Sequence, residues 1–249
     1  MGDELLNYRV SGNGNPVIFL HGFMEDLSMW DEVIPHLSIQ AICIDLPGHG
    51  LSSVDLDSTP SILSMAKEVE KIITLKKIQQ AIVVGHSMGG YVGMELMKLV
   101  PTLEHLILFH SHPWSDSEDK KRDRERVANL MLTKASVFIR EAIPNLFHNP
   151  TNFKNAIEYY IQLADKMDPR AIGWAALAMK NRFDLAYIME KKPEKFTVIS
   201  GENDKLIQVS LLDSFCKQNK ISSIILPNVG HMAHEENREE VIALLNTIF

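Results

Sequence analysis

Ala81-Ile82-Val83-Val84-Gly85-His86-Ser87-Met88-Gly89-Gly90-Tyr91 sets a serine inside Gly-x-Ser-x-Gly, between an apolar run and a segment of helical periodicity. This is the context of a nucleophile elbow, in which a buried strand turns sharply into a helix and the residue at the turn projects outward. Gly85 and Gly89 stand two residues to either side of Ser87, where a Cβ would obstruct a strained backbone. A pattern this short arises by accident in a chain with 13 glycines, so its surroundings must carry the reading.

Toward the N-terminus, Leu5–Val10 reads as a strand, Gly12-Asn13-Gly14-Asn15-Pro16 as a tight turn and Val17–Leu20 as a continuous apolar strand. Ser28 is the expected N-cap of a helix with Trp30, Val33, Ile34 and Leu37 on one face. Ala41–Leu46 is the next buried strand, and Pro60–Leu75 carries Ile62, Met65, Ala66, Val69, Ile72 and Ile73 at helical spacing. Strand Ala81–Gly85, helix Met88–Leu99 and strand Leu106–Phe109 follow. Continuous apolar strands alternating with helices predict an α/β fold with a mostly parallel sheet covered on both faces. Ligands of such a sheet collect at the carboxyl ends of its strands.

The pattern changes between Ser111 and Lys192, where no strand is evident. The mixed-sign run Ser115–Arg126 predicts a solvated helix face, and Phe138, Ile139, Phe147, Phe153, Tyr159, Tyr160, Trp174 and Met179 recur within helical patterns. Strands return at Phe196–Ser200 and Ser223–Leu226, with helices over about Ile207–Lys217 and Glu235–Phe249. The expected organisation is a core of residues 1–110 and 193–249 with a helical cap inserted at 111–192 over the catalytic edge.

The 249 residues, 45% apolar, suffice for one domain with a substantial core. A net charge of −7 offers no basic field for nucleic acid or an anionic membrane, so the expected partner is a small-molecule substrate. The chain is expected as a monomer or homodimer. Met1–Tyr8 has neither the basic start nor the apolar core of a signal peptide, and no segment approaches a membrane span, which predicts a cytoplasmic protein. Cys43 and Cys216 read as buried reduced thiols, without the spacing of a zinc site, and no metal or cofactor is expected.

A serine hydroxyl becomes a nucleophile when a base takes its proton and a third group orients that base. Gly201-Glu202-Asn203-Asp204 follows one late strand, and Pro227-Asn228-Val229-Gly230-His231 follows the next. Asp204 is preferred to Glu202 and Asp213 because it stands beyond a turn and can reach back to an imidazole. His231 is preferred to His234, which belongs to a helix start. His86 adjoins Ser87 and points away from it, while His36 and His105 read as surface or packing residues. The loop His110-Ser111-His112 offers no carboxylate before Asp116. His110, His112 and His148 are further polar candidates for the pocket. Backbone N–H groups of Phe23, after Leu20-His21-Gly22, and of Met88 are the expected oxyanion donors.

With Asp45-Leu46-Pro47-Gly48-His49-Gly50-Leu51-Ser52, these motifs resemble the small hydrolases of the α/β-hydrolase superfamily over nearly the full chain. That loop is similar to their D-x-P-G-x-G-x-S segment, in which Asp45 and His49 would fix the loop. His21, Gly22, Asp45, Gly85 and Gly89 would shape the site. The resemblance implies an α/β-hydrolase fold with a cap between the sixth and seventh strands, and carboxylesterase-like chemistry carried by Ser87, Asp204 and His231. A serine at 87 separates the chain from haloalkane dehalogenases, which use an aspartate. The expected substrate is a small, largely apolar carboxylic ester or thioester, cleaved through an acyl-enzyme. C–C hydrolases, hydroxynitrile lyases and perhydrolases share the triad, and a ligand-binding protein on the same fold is the alternative outside catalysis.

Overall fold

The structure, a computed structural model, describes residues 5–249; the reading of Met1-Gly2-Asp3-Glu4 lies outside the described residues. The described strands are β1 (Tyr8–Gly12), β2 (Pro16–Leu20), β3 (Gln40–Ile44), β4 (Ile82–His86), β5 (His105–Phe109), β6 (Phe196–Gly201) and β7 (Ser222–Leu226). They form one sheet in the order β1-β3-β2-β4-β5-β6-β7. β1 pairs antiparallel with β3, and every other pair is parallel.

The alternation of side chains along each strand divides the core in two. Ile18, Leu20, Ile42, Ile44, Val83, Leu106 and Leu108 face one side, with Met65 and Val69 of α1 (Ile62–Leu75) and Val92 and Leu96 of α2 (Met88–Leu99). Val17, Phe19, Ala41, Cys43, Val84, Ile107 and Phe109 face the other, with Trp30 and the C-terminal Val241 and Leu245. Both faces are therefore dry, and the inner strands read as unbroken apolar runs for that reason. Cys43 and Cys216 are free and buried.

The helix expected from Ser28 is instead two short 3-10 segments, Leu27–Trp30 and Ile34–His36. Asp26 is the cap, accepting from Ser28 N, and Pro35 can neither donate to the preceding turn nor clear it. The final helix is broken into Ala233–Glu236 and Arg238–Ile248, since Asn237 leaves the helical region at φ −150°.

Between β5 and β6 run α3 (Glu118–Ala142), α4 (Lys154–Asp165), α5 (Pro169–Lys180) and α6 (Ala186–Lys191). The insertion thus follows the fifth described strand, one earlier than the resemblance implied, because a single strand precedes the parallel run among the described residues. α3 bends at Lys134, whose φ of −148° is not helical. Trp174 and Met179 join one core cluster and Met131, Phe147 and Tyr160 the other, so the inserted helices straddle the sheet. Among the described residues no helix is long and apolar enough to cross a membrane.

Candidate active site

Ser87 falls between the end of β4 and the start of α2, at φ 48° and ψ −111°. Such a backbone costs a side-chain-bearing residue on the order of 1–3 kcal/mol and persists only where its surroundings hold it. Here Ser87 N donates to Phe109 O at 3.0 Å, while Ser87 O accepts from Gly90 N at 3.0 Å and from Ser111 Oγ at 2.8 Å. The positive φ thus sits on the serine itself. The flanking glycines serve close approach instead: a Cβ on Gly85 would lie 2.5 Å from Gly89 O, and one on Gly89 2.5 Å from Leu20 O.

The loops after β6 and β7 bring Asp204 and His231 together. His231 Nδ1 lies 2.7 Å from Asp204 Oδ2, and both side chains are buried. An imidazole that donates Nδ1–H to a carboxylate has its Nε2 lone pair left for a proton. Ser87 and His231 line one pocket, together with Phe23. Burial would raise the Asp204 pKa, but the adjacent imidazoles of His231 and His110 outweigh it and hold the carboxyl far below the usual range. Glu202 is exposed and accepts from Asn228 N, and Asp213 pairs with Lys217. His234 is buried away from the pocket with its Nε2 2.9 Å from Tyr160 Oη. His36 is exposed, His105 Nε2 lies 2.9 Å from Thr197 Oγ1, and His148 donates its backbone N–H to Glu236.

His110, placed by sequence only among possible polar contacts, is a second partner of the acid, with Nδ1 3.0 Å from Asp204 Oδ2. Burial pushes its pKa down to about 4, so it is a neutral donor. His110, Asp204 and His231 offer ligand atoms within 4.8 Å of one another. Asp204 Oδ2 already accepts from both rings, so a cation bound there would have to displace two protons.

The loop after β2 is tied through both backbone groups of one residue, Gly22. Gly22 N donates to Glu25 Oε2 at 2.6 Å, and His21 Nδ1 lies 2.7 Å from Gly22 O. His21 Nε2 accepts from Leu46 N at 2.9 Å, so the ring is neutral. Neither Phe23 N nor Met88 N has a protein acceptor among the described residues, and Met88 N–H opens the positive end of α2. Asp45 accepts from Leu27 N, Leu51 N and Asn7 Nδ2, which knits three segments under this loop. The His49 ring packs tilted against that of His21, with centroids 5.2 Å apart.

Sequence reading missed Glu25. His86 Nδ1 lies 2.8 Å from Glu25 Oε2, and His86 Nε2 lies 3.0 Å from the backbone oxygen of His231. Both ring nitrogens face acceptors, so the ring is an imidazolium. Burial disfavours both charges, yet their attraction raises the His86 pKa and holds the Glu25 carboxyl well below its ordinary range. One buried pair therefore ties the Gly22 loop, the residue before Ser87 and the His231 backbone. Glu25→Ala strands the imidazolium and is expected to cost about 3–5 kcal/mol in urea unfolding. A loss under about 1 kcal/mol would contradict an ionised pair.

A strand–serine–helix turn at the carboxyl edge of a parallel sheet, faced by a histidine–carboxylate pair from later loops, defines a hydrolase-type α/β protein. The chain belongs to the alpha/beta hydrolase family, which it matches over residues 17–244. It is 27% identical to a thermophilic esterase from Thermogutta terrifontis, solved with malate bound, over 97% of this chain and 92% of that one with a TM-score of 0.87. It is 26% identical to the 2-succinyl-6-hydroxy-2,4-cyclohexadiene-1-carboxylate synthase of Enterobacter sp. (strain 638), covering 93% of this chain and 90% of that protein. Abhydrolase domain-containing protein abhd-5.2 of Caenorhabditis elegans is 23% identical over 92% of this chain, which spans only 58% of that protein's length.

Proposed function

We propose that the protein is a serine hydrolase that cleaves a small carboxylic ester through an acyl-enzyme. The observation that carries this reading is the strained Ser87 sharing a pocket with His231, whose Nδ1 is engaged by ionised Asp204. Ser87 Oγ attacks the carbonyl while His231 Nε2 accepts its proton, and Asp204 holds the ring and stabilises the imidazolium that forms. The Phe23 and Met88 N–H groups, free of protein acceptors among the described residues, supply the oxyanion hole. The imidazolium protonates the leaving alcohol, and the neutral ring then activates water to release the acid. The inserted residues 111–192 act as a cap, and Asp116, Lys120, Leu146 and Met179 from them line the Ser87 pocket. Ester chemistry, rather than another reaction of the same triad, is favoured by the similarity to the Thermogutta enzyme.

A fluorophosphonate tests the assignment directly, since it reacts only with an activated serine. One phosphonyl group is expected, located on Ser87 by peptide mass spectrometry. Intact protein without label, or label on another residue, would overturn the proposal.

A further inference from the structure

The Ser87 pocket is not lined by apolar groups alone. Phe23, Met24 and Ile207 share it with Asp116, Lys120 and Arg124. Asp116 does not neutralise this wall. Its Oδ1 accepts from buried Arg182 at 2.8 Å and its Oδ2 from Arg124 at 3.2 Å. Arg182 is itself saturated, donating to Trp114 O and Met179 O and lying 4.0 Å over the Tyr91 ring. Lys120 is half-buried, and its ammonium has no hydrogen bond or ion pair among the described residues. Two arginines thus share one carboxylate and Lys120 is left over, in a chain of net charge −7. Glu25, the other carboxylate on the pocket, is matched by His86.

His112 lines the same pocket. Its Nδ1 is buried with no hydrogen-bond partner among the described residues, and its Nε2 lies 3.3 Å from Tyr91 Oη. Burial, reinforced by Arg182 and Arg124, pushes the His112 pKa down to about 3, so the ring is neutral. A half-desolvated ammonium without a counter-charge is unfavourable until an anionic acceptor arrives. With Glu25 and Asp116 each matched by other partners, the unpaired Lys120 is the charge left to attract a ligand of the other sign.

We infer that the ester taken at Ser87 carries a carboxylate, seated on Lys120 with Arg124 and His112 beside it. The inference rests on the serine hydrolase reading and replaces the largely apolar substrate expected from composition. Charge-assisted hydrogen bonds to the carboxylate would fix the distance from the anchored end of the substrate to the scissile carbonyl.

Two matched pairs of esters test it. Mono-4-nitrophenyl adipate against its methyl ester places the charge on the acyl side; 4-acetoxybenzoate against its methyl ester places it on the alcohol side. In at least one pair the acid is expected to exceed the methyl ester in kcat/KM by about ten-fold or more at low salt, with the ratio shrinking as ionic strength rises. Lys120→Met is expected to bring that ratio to about one and Lys120→Arg to keep it. Because both esters are assayed on one preparation, partial loss of folded protein does not move the ratio. Methyl esters turned over as well as the acids in both pairs, or a preference untouched by Lys120→Met, would overturn the anionic substrate while leaving the hydrolase standing. No turnover of any ester together with no phosphonylation of Ser87 would overturn both.

Discussion

Ser87→Ala is expected to lower the turnover of a short 4-nitrophenyl ester by about 10⁴- to 10⁶-fold, leaving only what binding and the oxyanion donors supply. A loss of that size corresponds to roughly 5–8 kcal/mol of barrier. Stability should barely respond. Alanine keeps the Cβ, so the strain at φ 48° is unchanged, and the bonds that hold this turn come from the Ser87 backbone rather than its hydroxyl. The urea midpoint is therefore expected to shift by no more than about 0.5 kcal/mol equivalent. Residual turnover above about a tenth of the parent, in protein freed of contaminating esterase, would move the nucleophile elsewhere.

Acidification is expected to unfold the protein well above the range in which carboxylates titrate. His21, His49, His110 and His234 are buried and His112 largely so, and burial lowers the pKa of each, to about 3 for His49 and His112 and about 4 for His110. In the unfolded chain these rings titrate near 6.5, so below that pH the unfolded state binds more protons than the folded one. Their contribution is full above pH 6.5 and is lost as pH falls toward the folded values. His49, His110 and His112 alone set a slope on the order of 4 kcal/mol per pH unit near pH 5, large against a total stability of about 5–15 kcal/mol.

Glu25 and Asp204, whose pKa values are depressed in the fold, extend the loss further into acid. His86 runs the other way. Its raised pKa stabilises fully below 6.5 and fades on the alkaline side, so it does not offset the acid limb. Urea midpoints followed by far-UV circular dichroism from pH 7.5 to 4.5 check this. A flat profile over that interval would mean that the buried rings are protonated in the fold.

Much of the fold could be read locally, because apolar continuity and turn residues are properties of short windows. The strands of the parallel sheet were read to within a few residues, and the strand–turn–helix around Ser87 follows from the spacing of Gly85 and Gly89. The helix expected at Ser28 does not form as one piece, because Pro35 interrupts the apolar spacing. The charged run around α3 was read as solvated throughout, although Lys120 and Arg124 stand one helical turn apart and both line the pocket. Spacing places two residues on one stripe of a helix. It does not say whether that stripe turns to water or to a cleft.

The sequence by itself determined the class of sheet, the turn that presents Ser87, and the order of the residues proposed as its acid and base. The tertiary structure alone decided that Glu25 meets His86 across 61 positions, that His110 shares Asp204 across 94, and that two cations of α3 line the pocket of Ser87. Strand and turn preferences are set between neighbours along the chain. A buried charge finds its counterpart only where the sheet and its insertion close around both, and no local pattern encodes that meeting.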